Sequence, residues 1–221
     1  NPDPMFTSSF SGQSLDQRIR YVLDSPQSVP GTKYSYFNMG FGILGRVIEK
    51  VTAKSYETNL KEVMALAGVD DVHVGKDRAG KRANEVVYYS QDGRNGYANE
   101  MSVIAAAGGV IASVHDMTKL LFCIDGKNGV PDIISAQTRE RMLTPSDNYD
   151  RYALGWRVNH PFYPNSAYHS GNLAGTSAMW VMGPKFNCVV LCNSRAYLDG
   201  YDDEYYGLLK NLIEASESTT W

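Results

Sequence analysis

The apolar positions of the chain divide it into a helical first part and a strand-rich last part. From Met39 to Val51 the residues Phe41, Leu44, Val47, Ile48 and Val51 recur at intervals of three and four, the period of one helix face. Ser55 is placed to cap a second helix running to Ala67, with Gly68 as its left-handed stop. Ahead of both, residues 1–13 are polar and Ser/Gly-rich and read as loop, and Ser14-Leu-Asp-Gln17 has the form of a capping box opening a helix through Asp24. Ser25-Pro26 and Pro30-Gly31 then force a turn. Residues 69–100 mix two short strand-like runs, 72–74 and 86–89, with Gly and charged turns. Ser113 is expected to cap a helix reaching Ile124, and another helix starts near Ser135 and ends by Leu143.

Beyond Tyr149 the pattern changes. Tyr152–Val158, Ser166–Ser170, Thr176–Met182 and Phe186–Asn193 are four strand-like runs separated by Gly, Pro and Asn, and their short connections favour antiparallel neighbours. Tyr201–Ala215 closes as an amphipathic helix. The expected fold is α+β: a mainly helical part over about 1–145, then an antiparallel sheet with a terminal helix packed on it over 146–221, the two sharing one core.

Composition narrows the function classes. The chain has 221 residues, 43% hydrophobic and 20% charged, with a formal net charge of −3; this is an ordinary globular make-up with no basic footprint for nucleic acid. The longest small or apolar run, Val103 to Ala112, is far short of the roughly 20 residues that a membrane helix needs. Three cysteines are too few for a disulfide scaffold. Cys188 and Cys192 share one face of a strand but stand too far apart along it to bond, and all three thiols are expected to pack as small buried hydrophobes. No Cys-x-x-Cys or His-Glu-x-x-His spacing supports a metal site, and no cofactor is implied. No signal peptide is visible, and the opening Asn-Pro-Asp-Pro reads as an internal or processed start.

Two local patterns carry candidate chemistry. In Tyr36-Phe-Asn38, just before the first strongly periodic helix, a phenol and an amide two residues apart project from one side of an extended approach. In Tyr168-His-Ser-Gly171, at the end of an expected strand, Gly171 admits a second backbone beside polar side chains able to grip a carboxylate or carbonyl. Each is weak alone: Asn38 also suits a helix cap, and His169 an ordinary strand histidine. His73, His115 and His160 have no such companions, and the acidic clusters Asp70-Asp71 and Asp202-Asp-Glu204 suit solvated turns and helix starts.

In order along the chain, Tyr36-Phe-Asn38, Gly40-Phe-Gly-Ile-Leu-Gly45, Ala107-Gly-Gly-Val-Ile-Ala-Ser113-Val-His-Asp116 and His169-Ser-Gly171 resemble the serine β-lactamase-related hydrolases. That group takes in class C β-lactamases, D-Ala-D-Ala carboxypeptidases and esterases, and the resemblance spans roughly residues 26–215. It implies that Tyr36 shuttles a proton between a serine and the leaving group and that Asn38 bonds the acyl-side amide of a small-molecule or peptide substrate. By the same resemblance His169 is the basic residue of the strand, Ser170 lines the substrate carboxylate beside Gly171, and Asn172 offers its backbone N–H to an oxyanion. His169 stands where β-lactamases usually carry lysine, which favours peptidase or esterase action over β-lactamase action.

The family's Ser-x-x-Lys is absent: no serine here has lysine three residues on. The expectation is therefore a C-terminal portion of a serine hydrolase, inactive by itself, with its N-terminal part missing and a sheet edge and an apolar helix face left bare. The alternative is a catalytically dead relative acting as a binding or assembly module. Resemblance to mostly exported proteins favours a periplasmic or secreted location, and oligomeric state is not indicated.

Overall fold

The computed structural model describes residues 3–91, 93–160 and 165–196, together with Gly200, Gly207, Lys210, Asn211, Glu214 and Ala215. Contacts divide the chain into two compact units, Asn1–Glu85 with Asn99–Ala112, and Val86–Ala98 with Ser113–Trp221.

The first unit holds α1 (Leu15–Asp24), α2 (Asn38–Thr52), α3 (Tyr56–Leu66), β1 (His73–Val74), α4 (Met101–Gly108) and β3 (Val110–Ile111). Ser14 forms the expected capping box with Gln17, and Ser55 accepts from Thr58 N–H at the start of α3. Gly68 stops that helix with φ +69°. One expectation changes here. Residues 3–13 are a packed segment rather than a loose loop: Met5 and Phe10 are buried, and Ser8–Phe10 makes a 3-10 turn. The segment is held by Arg18, 1% exposed, which donates to the carbonyls of Pro4, Met5 and Gln13 and pairs with Glu100. Glu100 in turn accepts from Gly12 N–H at 2.8 Å.

Helix α2 follows its predicted period; its buried face is Met39, Gly42 and Gly45, while Leu44, Val47, Ile48 and Val51 form an exposed apolar stripe. Gly45 lets α4 approach so closely that a β-carbon there would stand 2.6 Å from Ala106 Cβ.

The second unit holds β2 (Tyr89–Ser90), α5 (Val114–Phe122), α6 (Ala136–Leu143), β4 (Ala167–Leu173), β5 (Thr176–Met182), β6 (Asn187–Cys192) and β7 (Ser194–Arg195). Ser113 and Ser135 cap α5 and α6 as expected, Ser113 in a capping box with Asp116. The sheet runs β4-β5-β6, antiparallel throughout, with His169 opposite Trp180 and Gly171 opposite Ala178. One face packs Ala167, Trp180 and Met182 against Leu121 and Ile124 of the α5 region, with Trp156 stacked on Trp180 at 5.0 Å. The other packs Tyr168, Met179 and Val181 with Phe186, Cys188 and Val190. Beside this sheet, β2 and β7 pair in parallel.

Tyr152–Val158 is not a strand. Gly155, at φ +81°, folds the run back on itself, with Ala153 N–H donating to Trp156 O, and leaves only isolated bridges from Tyr152 to Arg157 and from Arg157 to Tyr168. The thiols also differ from expectation: Cys123 is buried, whereas Cys188 and Cys192 are half-buried, and all three are free. The expected terminal helix at 201–215 lies largely outside the described residues, although Lys210 Nζ stands 3.5 Å from Glu214 Oε1 at helical spacing. No helix among the described residues is long and apolar enough to cross a membrane, and no cluster of three His, Cys, Asp or Glu among them is placed to hold a metal.

Candidate active site

The first unit presents Tyr36 and Asn38. Phe37 is extended (φ −150°, ψ 101°) and provides no side-chain cap, so Asn38 begins α2 with its N–H exposed to capture. The capture comes from 35 residues away. Asp3 Oδ2 accepts from Asn38 N–H at 2.7 Å and from Asn38 Nδ2 at 3.1 Å, while its Oδ1 accepts from Met5 N–H at 3.0 Å. A carboxylate at a helix N-terminus is favoured by the helix dipole as well as by the bond. An ionised carboxylate only accepts, so the Asn38 NH2 group faces Asp3 and its Oδ1 faces the other way, as an acceptor. Asp3 thus fixes which way the amide points. Tyr36, two residues earlier, has 42% of its surface exposed.

The second unit presents His169, Ser170, Gly171 and Asn172 on β4. Strand alternation puts His169 and Gly171 on the face of Trp180 and Ala178, and Ser170 and Asn172 on the face of Met179 and Ser177. Tyr168 exchanges both backbone hydrogen bonds with Arg157 (2.7 and 2.9 Å), on the side away from β5. By the alternation of an antiparallel ladder, the N–H and C=O groups of Ser170 and Asn172 face that same outer edge.

His169 is tied at both ring nitrogens: Nδ1 lies 2.8 Å from Ser170 O and Nε2 3.0 Å from the Tyr152 hydroxyl. The Tyr152 and His169 rings meet edge to face at 5.9 Å, and the Arg157 guanidinium sits 6.0 Å from the Tyr152 ring centre. Burial and the Arg157 charge push the imidazole below the usual histidine range, against the smaller opposing effect of the bond to Ser170.

Asp3 and Tyr152 were not picked out from the sequence. Asp3 lies in a segment whose polar composition reads as loop, and Tyr152 in a run that reads as strand; neither position carries a local signal of its partner.

A model of the Beta-lactamase family matches residues 2–220. The chain belongs to the beta-lactamase family. Among its relatives, an N-acetylmuramyl-L-alanine amidase of Bacillus subtilis (strain 168) is 22% identical over 245 residues, covering 91% of this chain and 53% of that protein. Among solved structures, a penicillin binding protein from Bacillus halodurans superposes with a TM-score of 0.70 at 20% identity, covering 92% of this chain and 62% of its own. A D-amino acid amidase from Ochrobactrum anthropi SV3, complexed with L-phenylalanine, superposes at 0.71 with 21% identity, covering 94% and 66%. This beta-lactamase family chain thus spans about half the length of the curated relative and under two thirds of these two structures. Its α+β architecture is that of the beta-lactamase and penicillin-binding fold.

Proposed function

We propose that the protein carrying this chain is a serine hydrolase that opens amide bonds through an acyl-enzyme, with its nucleophilic serine supplied by polypeptide beyond these 221 residues. The carrying observation is a family match spanning residues 2–220 that takes in both Tyr36-Phe-Asn38 at the start of α2 and His169-Ser-Gly171 on β4. Amide substrates are favoured over β-lactams by two features: the relatives whose names specify amidase action, and a histidine in place of lysine on the strand. The exposed stripe of Leu44, Val47, Ile48 and Val51 supports the reading that further polypeptide packs on the first unit.

In this reading the serine oxygen attacks the substrate carbonyl while its proton passes to the Tyr36 oxygen. The same proton then goes to the departing amine, leaving an ester on serine that water hydrolyses. A phenol near its ordinary value of about 10 is a weak base at neutral pH, so a cation from the nucleophile's segment must hold Tyr36 ionised. Asn38 Oδ1, turned outward by Asp3, accepts the N–H of the acyl side. The Asn172 N–H on the outer edge of β4 is one oxyanion donor, worth about 3 kcal/mol in the transition state.

The test is hydrolysis of D-amino-acid amides and of simple esters by the longest product of the gene. Tyr36→Phe is expected to lower kcat by about 10²–10⁴-fold, and an unchanged kcat would remove Tyr36 from the mechanism. Asn38→Ala is expected to weaken amide turnover and spare simple esters; equal losses on both would make Asn38 a structural residue.

A further inference from the structure

Tyr152 is not among the residues that the sequence pattern singles out, yet its hydroxyl stands 3.0 Å from the imidazole of His169. The neighbour of His169 Nδ1 at 2.8 Å is the Ser170 carbonyl, which accepts hydrogen bonds and never donates, so Nδ1 carries a proton. That leaves Nε2 with either a lone pair or a second proton. His169 lies half-buried on β4, its cross-strand partner is the uncharged Trp180, and the charge facing it is the Arg157 cation beside the Tyr152 ring. A second proton would put imidazolium next to guanidinium in a partly dehydrated position. Nε2 is then an acceptor, and the hydroxyl 3.0 Å away is its donor.

We propose that Tyr152 is a positioning residue whose phenol donates to His169 Nε2, locking the imidazole in its Nδ1–H tautomer with a fixed ring plane. One side of the ring is held by the Ser170 carbonyl and the other by Tyr152, and the edge-to-face contact of the two rings resists rotation. A histidine held in this way presents a constant tautomer to a bound substrate, as a second partner does for a catalytic or metal-bound histidine. Its effect on turnover rests on the serine-hydrolase reading above; the tautomer itself does not.

The experiment therefore has two parts. Long-range proton–nitrogen spectra of the nitrogen-15-labelled protein at pH 7, with His169 assigned through His169→Gln, are expected to show Nδ1 as the protonated nitrogen and Nε2 as a bare acceptor. In Tyr152→Phe, which keeps the ring and its packing, the two tautomers are expected to mix. A wild-type spectrum showing Nε2–H or imidazolium at pH 7 overturns the proposal. So does a Tyr152→Phe spectrum identical to the wild type, since the Ser170 carbonyl would then suffice. In the longest gene product, Tyr152→Phe is expected to lower kcat/KM by about ten- to a hundredfold, the scale of a misplaced active-site group, and to move the midpoint of the acid limb of its pH profile. An active enzyme whose rate and profile ignore Tyr152→Phe overturns the catalytic half. A product inactive on every amide and ester overturns the hydrolase reading and leaves the spectra to decide the tautomer.

Discussion

Gly45 offers a test in which two known effects oppose each other. It sits inside α2, where glycine costs about 1 kcal/mol relative to alanine because of its backbone freedom. On propensity alone Gly45→Ala stabilises. The neighbouring helix decides otherwise. An added β-carbon meets Ala106 Cβ of α4 at 2.6 Å, roughly 1 Å inside the 3.5–4.0 Å of an ordinary carbon contact. Both atoms are fixed to helix backbone, so neither rotates away and α2 and α4 must separate. Overpacking of this kind costs about 1–3 kcal/mol; with two rigid partners the upper half applies, and the net loss is about 1–2 kcal/mol. For a chain of this size that is a fall in Tm of about 3–6 °C. Ala106→Gly alone is expected to cost about 1 kcal/mol through propensity. The double variant regains the space and should lie near the wild type, with a coupling of about 2–3 kcal/mol in a double-mutant cycle. Urea unfolding followed by circular dichroism measures all four proteins. A Gly45→Ala protein as stable as the wild type, or additive losses in the double variant, would refute the close-approach argument.

Other expectations follow from the same structure. Arg18→Met should cost about 3 kcal/mol, since it strips Glu100 and three main-chain carbonyls of their donor; urea unfolding checks this, and a loss below 1 kcal/mol would contradict it. Asp3→Ala should cost about 1 kcal/mol as a lost helix cap and, in the active gene product, raise KM for amides more than for esters. His169 and His160 both titrate below the ordinary 6.5, through burial and through nearby arginines. The unfolded chain therefore binds more protons than the native one between the two values. Stability from these groups is complete above about pH 6.5 and falls as the pH drops through their lower folded values. Tm measured from pH 7.5 to 5 should decline, with a shallower slope in His169→Gln, and a Tm that rises on acidification would contradict the assignment.

The sequence revealed most where a structural choice is local. Ser14, Ser55 and Ser113 each accept from the N–H three residues on, so capping chemistry placed three helix starts, and Ser135 does the same where a fourth helix was expected to begin. The strands β4, β5 and β6 fell close to the apolar runs between Gly, Pro and Asn. Helix α4 escaped notice because Met-Ser-Val-Ile-Ala-Ala-Ala-Gly is apolar or small nearly all round and has no distinct face. In α2 the period identified a helix but not which neighbour would cover it, and its apolar stripe lies exposed. Of the candidate site, the motif residues were legible as types in a pattern. Their supports were not: Asp3 reaches Asn38 across 35 residues and Tyr152 reaches His169 across 17, distances over which composition and spacing carry no information about contact.

In the function we propose, these residues carry the acid–base and binding groups of a serine hydrolase whose nucleophile lies outside them. The most direct test is fluorophosphonate labelling of the 221-residue chain and of the longest product of its gene, read by intact mass and then by peptide mapping. The expected result is one adduct on the longer product, on a serine followed by lysine three residues on, and none on the 221-residue chain. An adduct on any serine within these 221 residues, or a longer product that takes no label, would contradict it.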